Sequence, residues 1–189
     1  FQIVHTKTGA MKELTQLHFM GWPDRGVPEC PKSILSLYNL MSIYREQGIF
    51  KGLEGPPVVH CSAGVGRAGT FVTVALGIEK LKAKREEILL RSRSTLNYSD
   101  SALSESVDNL DRAGLLQSVD AMTCPDFENI DTYTIVYSLR EQRHSAMVQS
   151  ISQYIFIQQV LHTALAGFMY AAVRMAGQGN GKLENSSNQ

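Results

Sequence analysis

Residues 58–70, VVHCSAGVGRAGT, constrain this chain more than any other stretch. Val58, Val59 and His60 read as the end of a short buried strand. Cys61 then opens a loop carrying Gly64, Gly66 and Gly69, with Arg67 six positions after the cysteine. Beyond the loop, the spacing of Phe71, Val72, Val74, Ala75, Ile78 and Leu81 predicts a helix over residues 70–81.

Strand, glycine-bearing loop and helix in that order make an anion cradle. Successive backbone N–H groups converge on an anion, and the positive end of the helix dipole favours it. Glycines let the backbone close in where a Cβ would clash. Arg67 adds a planar, permanently charged fork that fits two phosphate oxygens. In that field a thiol loses its proton early, so Cys61 is expected to be a thiolate near neutral pH. A thiolate facing a bound phosphate implies covalent phosphoryl transfer. A bare Cys-x5-Arg match is more often an inert, buried cysteine with a surface arginine nearby. Here the match runs through HCSAGVGRAG.

At this point the chain resembles the tyrosine-specific protein tyrosine phosphatases, whose signature is His-Cys-Ser-Ala-Gly-x-Gly-Arg followed by Ser or Thr, then Gly. The resemblance makes Cys61 the nucleophile and Arg67 the phosphate-binding arginine. Ser62, Ala63, Gly64, Val65 and Gly66 form the phosphate loop, with His60 supporting it. Ala68 departs, standing where the family has a hydroxyl that hydrogen-bonds the cysteine sulfur as phosphate leaves. The implied fold is α/β (α+β): a central twisted mixed sheet flanked by helices, with the cysteine loop between a strand and a helix.

Composition narrows the alternatives. Lys+Arg and Asp+Glu both number 18, so no bulk charge argues for nucleic acid as a partner. Three cysteines, none in a CxxC pair, oppose a disulfide framework and a zinc site. No metal or organic cofactor is expected, because Arg67 and the backbone amides neutralise the phosphate. A working thiolate needs a reducing compartment, which favours the cytoplasm or the cytoplasmic part of a larger protein. The most apolar late run, residues 164–173, is too short for a membrane segment.

Taken in order, residues 1–4 and 14–19 read as strands around a Thr8-Gly9 turn. They lead into MGWPDRGVP, residues 20–28. Pro-Asp-x-Gly alone is a surface turn, and Trp22 offers a large apolar anchor. Beside the cysteine loop, the segment resembles the family's mobile Trp-Pro-Asp loop. By that match Asp24 is the general acid that protonates the leaving tyrosyl oxygen. Residues 33–44 form an amphipathic helix with Ile34, Leu37, Tyr38, Met41 and Tyr44 on one face. Lys80, Lys82, Lys84 and Arg85 read as a solvated helix end.

Residues 91–129 change character, with many Ser, Asp and Asn, and read as a polar insertion, poorly ordered or forming a short helix around 110–119. Helical spacing returns over 130–143 with Ile135, Val136 and Leu139 inward. Gln149 and Gln153 lie one helical turn apart and can face one cleft, though the spacing alone favours a polar helix start capped by Ser150 or Ser152. The surrounding LREQRHSAMVQSISQYIF resembles the family's glutamine loop, preceded by Arg-x-x-Arg. That match has Gln149 position the water that hydrolyses the cysteinyl-phosphate, with Gln153 assisting. A long helix over 154–172 closes the core, and 173–189 reads as a disordered tail.

The resemblance therefore implies a catalytic domain over residues 1–172, interrupted by 91–129. It further implies that this is the domain's C-terminal portion, its N-terminal part missing and its sheet open at one flank. The expected function is hydrolysis of phosphotyrosine in proteins through a cysteinyl-phosphate, with phosphotyrosine-containing proteins as partners. Ala68 and the missing part leave a phosphotyrosine-binding pseudophosphatase as the alternative, and a plain interaction module after it. Dual-specificity enzymes share Cys-x5-Arg but usually lack the Trp-Pro-Asp and paired-glutamine motifs.

Overall fold

The computed structural model describes residues 1–23, 26–50, 55–99 and 130–178, and their side chains except at 49–50, 89, 91–99 and 171–178. Two short strands, β1 (Gln2–Val4) and β2 (Met11–Glu13), pair antiparallel with Ile3 opposite Lys12. Gly9, at φ +67°, turns the chain between them, and the His5 carbonyl accepts the Gly9 N–H at 2.9 Å. Among the described residues four helices follow: α1 (Pro31–Phe50), α2 (Gly66–Ser99), α3 (Thr132–Gln142) and α4 (Ile151–Gln178).

Helix α2 is the centre of the packing. Its buried residues Phe71, Val74, Ile78 and Leu81 recur at helical spacing and meet Phe156, Ile157, Val160 and Leu161 of α4 in one core. Ile34 and Tyr38 of α1 and Val136 of α3 complete it. Gly77 brings the backbones close, since a β-carbon there would lie 2.7 Å from a Leu161 methyl. At the rim the Tyr38 hydroxyl donates to Glu79, and Lys82 donates to that hydroxyl at 2.8 Å. Lys82 and Lys84 each pair with a glutamate on their own helix, as a solvated helix surface does. Asp131 caps α3 by accepting the Thr134 N–H at 2.9 Å. No described helix is long and apolar enough to cross a membrane.

Several expectations need correction. No strand forms over 14–19 or at 58–60, and among the described residues the only ladder is the β1–β2 hairpin, not a central mixed sheet. A strand needs a partner row of N–H and C=O groups. The Leu14 N–H takes the Phe1 carbonyl, and β1 offers nothing further along for Leu17 or Phe19. Val58 is accordingly 88% exposed. Helix α2 continues to Ser99, so the first part of the stretch read as a polar insertion, 91–99, is helical. That stretch holds neither Gly nor Pro to stop a helix already propagating. Likewise α4 runs to Gln178, so 173–178 is not tail. Its Ala, Met and Arg are good helix formers. Residues 100–129, with the short helix expected there, and 179–189 lie outside the described residues.

Candidate active site

The cysteine loop meets α2 at its N-terminus. Cys61 is half-buried, Ser62, Ala63, Gly64 and Val65 bend through the loop, and Gly66 begins the helix. Gly64 adopts φ +74°, which a side chain would strain. Burial alone would push the Cys61 thiol up. The N–H groups of Ala68, Gly64 and Val65 on the sulfur, with the Arg67 charge, outweigh that and hold the thiol below its ordinary value. Arg67 donates to the Ser62 hydroxyl at 3.0 Å, and His60 is exposed beside the loop. Ala68 is buried, 5% exposed.

A titration follows from the direction of that shift. Alkylation of Cys61 by iodoacetamide, followed on its own peptide by mass, should reach half its plateau at a pH below the about 8.5 of a free thiol. The thiolate is the reactive form, so a lowered pKa moves the curve to lower pH. Arg67→Gln should move it partly back up. A midpoint at or above that of the unfolded chain would contradict the geometry.

The glutamine segment packs directly on this loop. A β-carbon on Gly66 would lie 2.8 Å from Gln149 Oε1 and 3.1 Å from Gln153 Nε2, so both amides abut the start of α2. Gln153 is buried, and its Oε1 accepts the N–H groups of Gln149 at 2.8 Å and Ser150 at 3.3 Å. Ser150 also caps α4, its hydroxyl accepting the Gln153 N–H at 3.2 Å. The spacing thus serves cap and cleft together.

Gly69 is required for the same approach. A β-carbon there would lie 2.8 Å from the Val148 backbone nitrogen, which cannot rotate aside as a side chain can. Overpacking of this kind costs about 1–3 kcal/mol, against about 1 kcal/mol of helix propensity gained. Gly69→Ala should therefore lower the melting temperature, and an unchanged or higher one would show that the turn yields freely.

Trp22 is anchored from α4. Trp22 donates from Nε1 to the Gly26 carbonyl at 3.1 Å and packs edge-on against Phe156, with ring centroids 6.2 Å apart. Asp24 and Arg25 lie outside the described residues.

Two arginines emerge that the sequence singled out only as neighbours of the glutamine motif. Arg140, in the last turn of α3, donates from Nε to the Met147 carbonyl at 3.0 Å. Its second fork nitrogen donates to the Val148 carbonyl at 3.1 Å. Arg143 reaches the loop itself, 3.3 Å from where a Gly64 β-carbon would be. Basic residues at a helix C-terminus ordinarily read as dipole partners in solvent. Arg-x-x-Arg one turn apart was the available signal.

With this geometry in place, the comparisons with known proteins converge. The family model described as protein-tyrosine phosphatase matches residues 1–99. Tyrosine-protein phosphatase 3 of Dictyostelium discoideum is 29% identical over 154 residues, covering 82% of this chain and 12% of that protein. Receptor-type tyrosine-protein phosphatase C of Rattus norvegicus is 31% identical over 160 residues, 84% of this chain and 9% of that protein. Tyrosine-protein phosphatase non-receptor type 2 of Mus musculus is 44% identical over 73 residues, 39% of this chain and 17% of that protein. The chain spans less than a fifth of the length of each of these relatives. Matched by the family model over more than half of its 189 residues, the chain belongs to the protein-tyrosine phosphatase family.

Proposed function

We infer that this chain carries the nucleophile-bearing part of a protein-tyrosine phosphatase, acting on phosphotyrosine in proteins through a cysteinyl-phosphate. The observation that carries this reading is geometric: the Cys61 loop, turned at Gly64, enters the N-terminus of α2 beside Arg67, and Gln149 and Gln153 pack on Gly66. In the first half-reaction the Cys61 thiolate attacks phosphorus, the S–P bond forms, and the P–O ester bond breaks. Asp24 gives its proton to the departing phenolate oxygen. In the second, Gln149 orients a water with Gln153 assisting. The O–P bond forms, the S–P electron pair returns to sulfur, and the water's proton passes to the Asp24 carboxylate.

Throughout, Arg67 and the amides of residues 62–66 bind the phosphoryl oxygens, with no metal or cofactor required. His60 and Trp22 support the loop and the acid segment. A domain over 1–172, interrupted over 91–129, suits this reading. So does a reducing, cytoplasm-facing location with phosphotyrosine proteins as substrates. Ala68 favours one second reading, a phosphotyrosine-binding pseudophosphatase that captures phosphate and releases it slowly or not at all.

Rapid-quench mixing with a phosphotyrosyl peptide tests both, following free and protein-bound phosphate together. Phosphate on Cys61 with later release is expected. Neither bound nor free phosphate, from protein shown to be folded, would remove the enzyme reading.

A further inference from the structure

Val148 is the one non-glycine among the described residues with a positive φ, +58°. A β-branched residue held there is strained and persists only where its surroundings over-determine it. Those surroundings are identifiable. The Val148 N–H donates to the Val65 carbonyl of the cysteine loop at 3.3 Å, and the side chain is buried in the core. From the other side, Arg140 grips the two consecutive carbonyls of Met147 and Val148. Met147 and Val148 are both buried, and removing the fork would leave their carbonyls without these donors. The next residue is Gln149, whose N–H is fixed by Gln153 and whose Oε1 lies over Gly66.

We propose that Arg140 is a positioning residue: by clamping the Met147 and Val148 carbonyls it holds the strained turn that aims Gln149 at the cysteine loop. Its kinetic consequence rests on the phosphatase reading above. Arg140 touches neither the Cys61 sulfur nor Arg67, and the N–H groups on the sulfur come from residues 64, 65 and 68. Formation of the cysteinyl-phosphate therefore does not depend on it. Hydrolysis does, because the attacking water is oriented by Gln149, and a displacement of about 1 Å can cost roughly 100-fold in rate. Lysine cannot replace the fork, since an ammonium lacks two parallel donors in a fixed plane.

The test compares the full chain with its Arg140→Lys and Arg140→Ala variants. Rapid quench with a phosphotyrosyl peptide gives the two half-reactions, and amide hydrogen exchange at residues 148–150 reports the turn. The expected result is cysteinyl-phosphate formed at the wild-type rate but decaying about 10- to 100-fold more slowly. Protection at the Gln149 amide should fall, with lysine between arginine and alanine. Should Arg140→Ala fail to fold, Arg140→Lys carries the comparison. Formation and decay both slowed in proportion to a lowered melting temperature would make Arg140 merely structural and overturn the proposal. Unchanged decay would overturn it too. No cysteinyl-phosphate in the wild-type chain would instead remove the phosphatase reading and the kinetic consequence with it. Exchange then decides the clamp alone: protection lost only at 148–150 supports it, and unchanged protection overturns it.

Discussion

Cys61→Ser is expected to abolish turnover of a phosphotyrosyl peptide, by at least about 10⁴-fold, while leaving phosphate affinity equal or higher. The cradle explains the separation. Its N–H donors from Ala68, Gly64 and Val65 and the Arg67 charge act on a thiol that already loses its proton easily. A hydroxyl in the same field stays protonated at neutral pH and forms no covalent intermediate. Losing the thiolate also removes a negative charge beside the bound anion, so repulsion falls. The backbone donors themselves are unchanged by the substitution. Steady-state turnover and calorimetric titration with inorganic phosphate read the two effects. Turnover surviving in Cys61→Ser would place the nucleophile elsewhere and end the covalent mechanism.

The parts of the site legible in the sequence are those whose geometry is local. The loop of residues 61–66 and the opening of α2 are contiguous, so glycine spacing, cysteine and arginine specify the cradle together. Helices α1 and α3 are legible because buried residues recur at helical spacing: Ile34 and Tyr38 at i and i+4, and Thr132, Ile135 and Val136 at i, i+3 and i+4. Residues 14–19 fail for the opposite reason. Their alternation of Leu17 and Phe19 is a strand pattern, but a ladder depends on partners elsewhere in the chain, and β1 ends opposite Leu14.

The clamp on the glutamine turn is non-local as well. Nothing in the Arg140 or Val148 side chains announces that one will hold the other's carbonyl. A β-branched residue is among the last expected at positive φ. Gln149 and Gln153 fall between these cases: their spacing fits a capped helix start as well as a cleft, and packing against Gly66 is what separates the two.

Ala68→Ser should speed release of phosphate from Cys61 by about 10- to 100-fold. The Ala68 N–H is among the groups that lower the Cys61 thiol. A serine hydroxyl on that residue can therefore join it as a donor to the departing thiolate. A hydrogen bond to a charged group contributes roughly 1.5–3 kcal/mol, and each 1.36 kcal/mol is about tenfold in rate. Stabilising the thiolate also makes it a weaker nucleophile, so cysteinyl-phosphate formation should slow, though by less than release gains.

One competitor is visible in the same helix. Thr70 and Thr73 turn their hydroxyls back to the Gly66 and Gly69 carbonyls at 2.9 and 2.8 Å, and the introduced hydroxyl could do likewise toward the Gly64 carbonyl. Rapid quench distinguishes the two orientations. Faster decay of the cysteinyl-phosphate puts the hydroxyl on sulfur and identifies Ala68 as the brake on a complete active site. Unchanged decay means the hydroxyl has turned back along the helix or that sulfur departure does not limit the rate. Slow release would then have to originate in water delivery, where Arg140 acts through Gln149, and Ala68 would no longer favour a pseudophosphatase over a working enzyme.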